Sequence, residues 1–239
     1  MADGLQIFGR IERHALYAVQ LINPVTEEIV YSGARVAAVG LAHLPVVNRS
    51  GLFVWLEEGP AWPTRIQFEP GRLPFVKENL PALPRPSDPV LATEEQRRQR
   101  IRLRPTRAYP FDAGVTAIVG RLVERPDDNS PGIPDATVAL AWRKDEHDTF
   151  HRPENQTSSP PVTDADGEFA VFLRLRASEI HPTDLPAGLL QVRLEFEVDG
   201  ITRCTAPDFP FLDPPAPPGQ VREGTRLAKS VRVPFSALE

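Results

Sequence analysis

The chain predicts an all-β fold made of two tandem β-sandwiches, and three observations carry that expectation. Proline accounts for 27 of 239 residues, roughly twice the usual ~5%. A helix interior rejects proline, which lacks an N–H and clashes with the preceding turn, so these residues belong to strands, edges and loops. Apolar residues fall in short runs bounded by Gly, Pro, Asn and Asp, the pattern of strands joined by turns. Finally, one unit occurs twice. Asn48-Arg49-Ser50-Gly51 leads into Leu52-Phe53-Val54-Trp55-Leu56, and Asp164-Ala165-Asp166-Gly167 leads into Glu168-Phe169-Ala170-Val171-Phe172-Leu173. Each is preceded by a strand-like segment, residues 34–39 and 137–142. Ala34 and Val36 match Ala136 and Val138 at a spacing of 102, and Gly51 and Phe53 match Gly167 and Phe169 at 116. The extra 14 residues fall in the polar stretch 143–161, where an insertion costs least.

The first unit opens with the apolar run 16–22, broken by Asn23-Pro24. A short strand is expected at 28–31, and Ser32-Gly33 turns into the strand 34–39. After the strand 52–56 and the turn Glu57-Glu58-Gly59-Pro60, residues 64–69 alternate and put Ile66 and Phe68 on one face. Residues 77–98 carry Leu80-Pro81-Ala82-Leu83-Pro84-Arg85-Pro86 with no core pattern and read as a Pro-rich, charged linker or long loop. Thr93-Glu94-Glu95-Gln96-Arg97-Arg98 supplies one helical turn. Arg100, Arg102 and Arg104 alternate with Ile101 and Leu103, a strand with an apolar inner face and a charged outer one.

The second unit begins with a long strand at 115–124, followed by the turn-rich loop 125–134 and the strand 137–142. After residues 169–175 a short helical crossing is expected at 177–180. Leu190, Val192, Leu194, Phe196 and Val198 alternate with polar residues and face inward. Asp199-Gly200 is a type I′ hairpin signal into residues 201–205, and residues 229–235 supply a last strand.

Three segments of this half carry a family likeness. Gly120-Arg121-Leu122-Val123, Ile133-Pro134-Asp135-Ala136-Thr137-Val138-Ala139-Leu140 and Thr163-Asp164-Ala165-Asp166-Gly167-Glu168-Phe169 stand in order. They resemble the carboxypeptidase regulatory-like family, whose members read G-x-V, I-x-G-A-x-V-x-L and T-D-x-D-G-x-F. The resemblance covers residues 115 to about 205, with Asp135 where the family has Gly. It implies a transthyretin-like (prealbumin-like, Ig-like) seven-stranded sandwich and is almost silent on function. The first half is a weaker copy, matching at Ser32-Gly33-Ala34-Arg35-Val36 and Asn48-Arg49-Ser50-Gly51-Leu52-Phe53 without the carboxylates of the turn. The implied organisation is a first sandwich in residues 1–76, which a strand at 99–111 is placed to complete. The linker 77–98 follows, and residues 99–239 hold the second sandwich with its Pro-rich C-terminal segment.

Charge excludes several functions. The net charge is −5, with +2 in residues 1–113 (14 basic, 12 acidic) and −7 in residues 114–239 (13 basic, 20 acidic). Nucleic-acid binding needs a basic surface to displace counterions and is not expected. The single cysteine, Cys204, cannot form an intrachain disulfide and is read as a small buried apolar residue. The N-terminus has neither a basic n-region nor an apolar h-region, and no apolar run nears the ~20 residues of a membrane span. Cytoplasmic synthesis without a signal peptide and no membrane insertion are therefore expected.

Chemical candidates are few. Asp164 and Asp166 imitate the start of an EF-hand loop, but position 12, which needs a bidentate Glu, is Leu175. The stretch is read as an Asx-turn, with Gly taking the positive φ. His147 and His151 have helical metal spacing but lie in a loop-like segment and lack the intervening catalytic Glu. No catalytic residues, metal or cofactor are assigned. The chain reads as a non-enzymatic structural or adaptor protein that binds protein subunits of a larger assembly, of phage-tail or contractile-injection type, with homo-oligomers included. The alternative is a carbohydrate- or peptide-binding module using loops 127–131 and 145–159. The partner-binding candidates are Arg100, Arg102 and Arg104 on the arginine strand, and Phe209, Phe211 and Leu212 in the Pro-rich segment.

Overall fold

A computed structural model describes residues 15–56, 61–88, 91–143, 149–152, 160–174, 189–206, 208–211, 219–222 and 230–239. The described residues are almost all β and divide into two compact units. The first comprises Met1–Ile22, Ile29–Gly71 and Lys77–Ile101, and the second Asn23–Glu28, Arg72–Val76 and Arg102–Glu239.

The first unit contains β1 (Tyr17–Ile22), β2 (Arg35–Val39), β3 (Val46–Val47), β4 (Phe53–Trp55), β5 (Arg65–Glu69), β6 (Glu78–Pro81), α1 (Glu94–Arg97) and the body of β7 (Arg98–Arg102). They form the sheets β3-β4-β1-β7 and β2-β5-β6. Alternation sends Tyr17, Val19 and Leu21 of β1 and Phe53 and Trp55 of β4 inward, with Val36, Ala38, Ile66 and Phe68 buried on the other sheet.

The second unit contains β8 (Thr116–Val123), β9 (Thr137–Arg143), β10 (Glu168–Leu173), β11 (Leu189–Val198), β12 (Ile201–Cys204), β13 (Gln220–Arg222) and β14 (Val231–Pro234). One sheet has the order β10-β8-β14, with β14 parallel to β8. In the other, β11 pairs with β9 along one edge and with β12 and β13 along the other. Both sheets contribute to one core: Ile118, Leu122, Phe169 and Val171 meet Val138, Leu140, Leu194 and Phe196. The rings of Phe169 and Phe196 pack edge-to-face at 5.4 Å.

The same pairing order recurs: β4-β1-β7 corresponds to β10-β8-β14, and β2-β5-β6 to β9-β11-β12. The repeated turns agree bond for bond. Asn48 Oδ1 accepts the N–H groups of Ser50 (3.0 Å) and Leu52 (2.9 Å). Asp164 Oδ1 accepts those of Asp166 (3.0 Å) and Glu168 (2.8 Å). Gly51 and Gly167 follow at φ 74° and 76°. Asn and Asp do the same work because each offers an acceptor oxygen at the same reach.

Several segments differ from the sequence reading. Only an isolated bridge, Ile22 to Ile29, forms where a strand is expected at 28–31. Residues 77–98 are more than a linker: β6 pairs with β5, and α1 is closed by a capping box between Thr93 and Gln96. Polar tethers hold the prolines in place. The Tyr17 hydroxyl donates to Gln99 and accepts the Leu83 N–H (2.9 Å), while Trp62 Nε1 donates to the Leu83 carbonyl (2.9 Å). The predicted crossing at 177–180 lies outside the described residues.

Candidate docking surface

The outer face of the first unit's larger sheet is the strongest candidate for function. On β1, β3 and β4 the side chains opposite the core are also mostly apolar. Ala18 pairs in register with Val54, and Val54 with Val46, so the three make one row across three strands. Leu52 and Leu56 extend it along β4 by strand alternation. These residues floor an open groove of about 490 Å³, bounded on its far side by Glu94, Arg97 and Arg98 of the helix and β7. Leu44 is 67% exposed and Val46 57%. Nine large hydrophobic side chains are exposed among the described residues, and eight of them are in the first unit: Ile29, Tyr31, Val39, Leu44, Val46, Val47, Leu56 and Leu91. Of these, Val46 and Leu56 line the groove, beside half-buried Leu52 and Val54 and buried Ala18; scattered exposed apolar residues are ordinary, whereas a contiguous apolar floor marks an interaction site. The sequence did hold a signal for this surface. Residues 52–56 are apolar at both strand parities, as in a strand buried on both faces.

The arginine strand follows its period-two pattern. Ile101 and Leu103 are buried, Arg100 is exposed, and Arg102 and Arg104 are half-buried. Arg102 makes a two-pronged ion pair with Glu27, at 2.7 and 3.0 Å. The Arg104 carbonyl accepts the Val76 N–H at 2.8 Å. Arg98 pairs with Glu94 at 2.6 Å, four residues back. Of the three predicted arginines, Arg100 presents the most accessible charge.

The Pro-rich candidates separate. Phe211 is buried in the core of the second unit, and Phe209 packs against that core with its ring 4.9 Å from Phe211. Both rings are therefore engaged internally. Leu212 lies outside the described residues.

A polar cluster that sequence reading missed sits on the outer side of β11. Glu195 is buried, and its carboxylate meets Arg152 (2.5 Å) and Arg193 (2.5 Å). The guanidinium groups of Arg193 and Arg143 lie 4.3 and 4.7 Å from the Phe150 ring. The partners come from the 143–161 insertion and from β11, so no local motif announces them. His151 pairs through its backbone with Trp142, and His147 is outside the described residues. Among the described residues no three His, Cys, Asp or Glu side chains are grouped to hold a metal. Burial raises the Cys204 thiol pKa above its ordinary value, which disfavours the reactive thiolate. No helix among the described residues is long and apolar enough to cross a membrane.

Comparison of the chain with protein-family models, with curated proteins and with solved structures finds no match to any of them.

Proposed function

We propose that this protein is a structural adaptor that works by docking a partner subunit of a larger assembly on the outer face of β3, β4 and β1. The apolar groove floor, with Val46 and Leu56 exposed on it, carries the reading, because such a face is costly to leave in water and gains by burial, about 25 cal/mol per Å² of apolar area. The short strand β3 is the outermost of its sheet and pairs with β4 alone among the described residues. The likeness to the transthyretin-like family remains part of the proposal. It is supported by the recurring strand order and by Asp135, which takes φ 56° where the family pattern has Gly. Affinity capture with the full chain, set beside Val46→Asp, tests the docking reading. An identified partner held by the wild type and lost by the variant, with unchanged circular dichroism, is the expected result. A wild-type chain that stays monomeric and whose retained partners are indifferent to Val46→Asp overturns it.

A further inference from the structure

The groove has a basic side as well as an apolar floor, and the two together define the chemistry of its occupant. Strand β7 forms that side. Gln99 turns inward to the Tyr17 hydroxyl and Ile101 is buried in the core, so alternation sends Arg98 and Arg100 outward, on the face of the groove. Arg98 and Arg97 line the groove, and Arg97 donates to the Ala15 carbonyl at 2.9 Å. Among the described residues Glu94 is the one acidic residue in the lining, and its carboxylate meets Arg98. Arg100 is exposed and has no ion-pair partner among the described residues. Among the described residues the Glu94 carboxylate is taken up by Arg98, and Arg100 adds an exposed guanidinium, which leaves this side positive.

We propose that the groove takes an extended segment of a partner protein whose large apolar side chains are accompanied by carboxylates. The apolar side chains cover Val46, Val54 and Ala18, and the carboxylates meet Arg100 and its neighbours. This inference rests on the docking reading and adds the partner's chemistry. One observation favours an extended segment over a helix. The second unit covers the outer apolar face of β10-β8-β14 with non-helical segments: Phe111 lies 6.0 Å from Phe172, with Tyr109 and Phe75 packed in turn behind it. That cover is fastened at its margin by an ion pair, Arg107 to Glu168. An apolar cover with a charged fastening is therefore a solution this chain already uses.

The probe is a fluorescein-labelled twelve-residue peptide alternating valine with threonine and ending in three aspartates, beside the same peptide ending in three lysines. Fluorescence anisotropy with the full chain at low salt reads binding. The aspartate peptide is expected to bind at least tenfold more tightly than the lysine peptide. That preference falls with added salt and with Arg100→Glu, and Val46→Asp abolishes binding of both. Equal or reversed preference overturns the inference, as does no binding of either peptide. Val46-dependent binding without the aspartate preference sinks the partner chemistry and leaves the docking reading standing, whereas binding indifferent to Val46→Asp sinks both. A Val46-dependent dimer in light scattering assigns the face to a second copy, and binding that appears only when residues 1–14 are removed assigns it to the chain's own segment. Either result overturns the proposal.

Discussion

Two sheets of this chain have strands that are apolar on both faces, β8 and β10 in one and β1, β3 and β4 in the other, and they are finished in opposite ways. In the second unit, β8 and β10 turn Ile118, Leu122, Phe169 and Val171 into the core and Ala117, Val119, Ala170 and Phe172 outward, yet all eight are buried. Val25, Phe75, Leu103, Tyr109 and Phe111 of the same unit supply buried or packed apolar side chains on segments outside its sheets. Arg174 fixes one of those segments by donating to the Val25 carbonyl at 2.8 Å. In the first unit the matching face of β3, β4 and β1 carries Val46 and Leu56 exposed. The lesson is that a second apolar face has two uses. Covered, it thickens a core; open, it is a surface awaiting burial.

The sharpest way to break that comparison is to shorten one side chain from each face. Phe172→Ala empties a covered site and is expected to cost about 3–5 kcal/mol in urea unfolding. Val46→Ala, on the open face, is expected to stay within about 0.5 kcal/mol. Equal losses at the two sites would mean that the faces are not differently finished.

The repeated turn gives a second contrast. Both glycines need positive φ, but a Cβ on Gly167 would lie 2.4 Å from the Leu122 carbonyl oxygen, whereas one on Gly51 would meet the Ile29 side chain at 2.8 Å. Backbone cannot yield as a side-chain methyl can. Gly167→Ala should therefore cost on the order of 3 kcal/mol and Gly51→Ala nearer 1 kcal/mol, measured by denaturant titration. A larger loss at Gly51 would invert the reading.

Each unit also buries a tyrosine. Burial raises the Tyr17 pKa above 10.0, partly offset by the Leu83 N–H, and burial raises Tyr109 likewise, partly offset by Asn23. The folded state therefore holds its phenol protons more tightly than the unfolded chain. This stabilisation is present in full below pH 10.0 and is lost as pH rises through the raised values. Tyr17→Phe should remove the alkaline loss attached to the first unit and leave that of Tyr109. At neutral pH it should cost about 1 kcal/mol, from the unsatisfied Leu83 N–H and the lost bond to Gln99. A pH profile unchanged by Tyr17→Phe would break the assignment.

The smallest effect is expected at Arg102. Its pair with Glu27 is partly open to solvent on both sides, so a double-mutant cycle should return about 0–1 kcal/mol, decreasing with salt.

What was legible in the sequence was whatever neighbouring residues settle between themselves. The alternation from Leu190 to Val198 gave the inward face of β11, and Asp199-Gly200 takes φ 50° and 77° at the predicted hairpin. The Gly–x–Phe spacing gave the two equivalent turns. The helical turn at Thr93 was legible because its capping box is local. Strand β6 was not. Glu78-Asn79-Leu80-Pro81 has no strand pattern of its own, and its pairing with Arg65–Phe68 of β5 decides its state. The two-residue β3 and the three-residue β13 were too short to signal, and likewise depend on their partners Val54 and Leu190. At the candidate site the double-sided apolar run 52–56 was visible, but its exposure was not. Phe209 and Phe211 looked like contacts because nothing nearby in the sequence covers them.

The sequence by itself determined the all-β character, the repeated turn, and the two apolar faces of the inner strands. These follow from side-chain parity, proline chemistry and the φ preference of glycine, all of which act within a few residues. Only the tertiary structure decided which apolar face is covered and which charge is paired. Arg174 and Val25 meet across 149 residues of chain, and Arg102 and Glu27 across 75. Burial is a property of what arrives from far away, and no local pattern encodes the arrival.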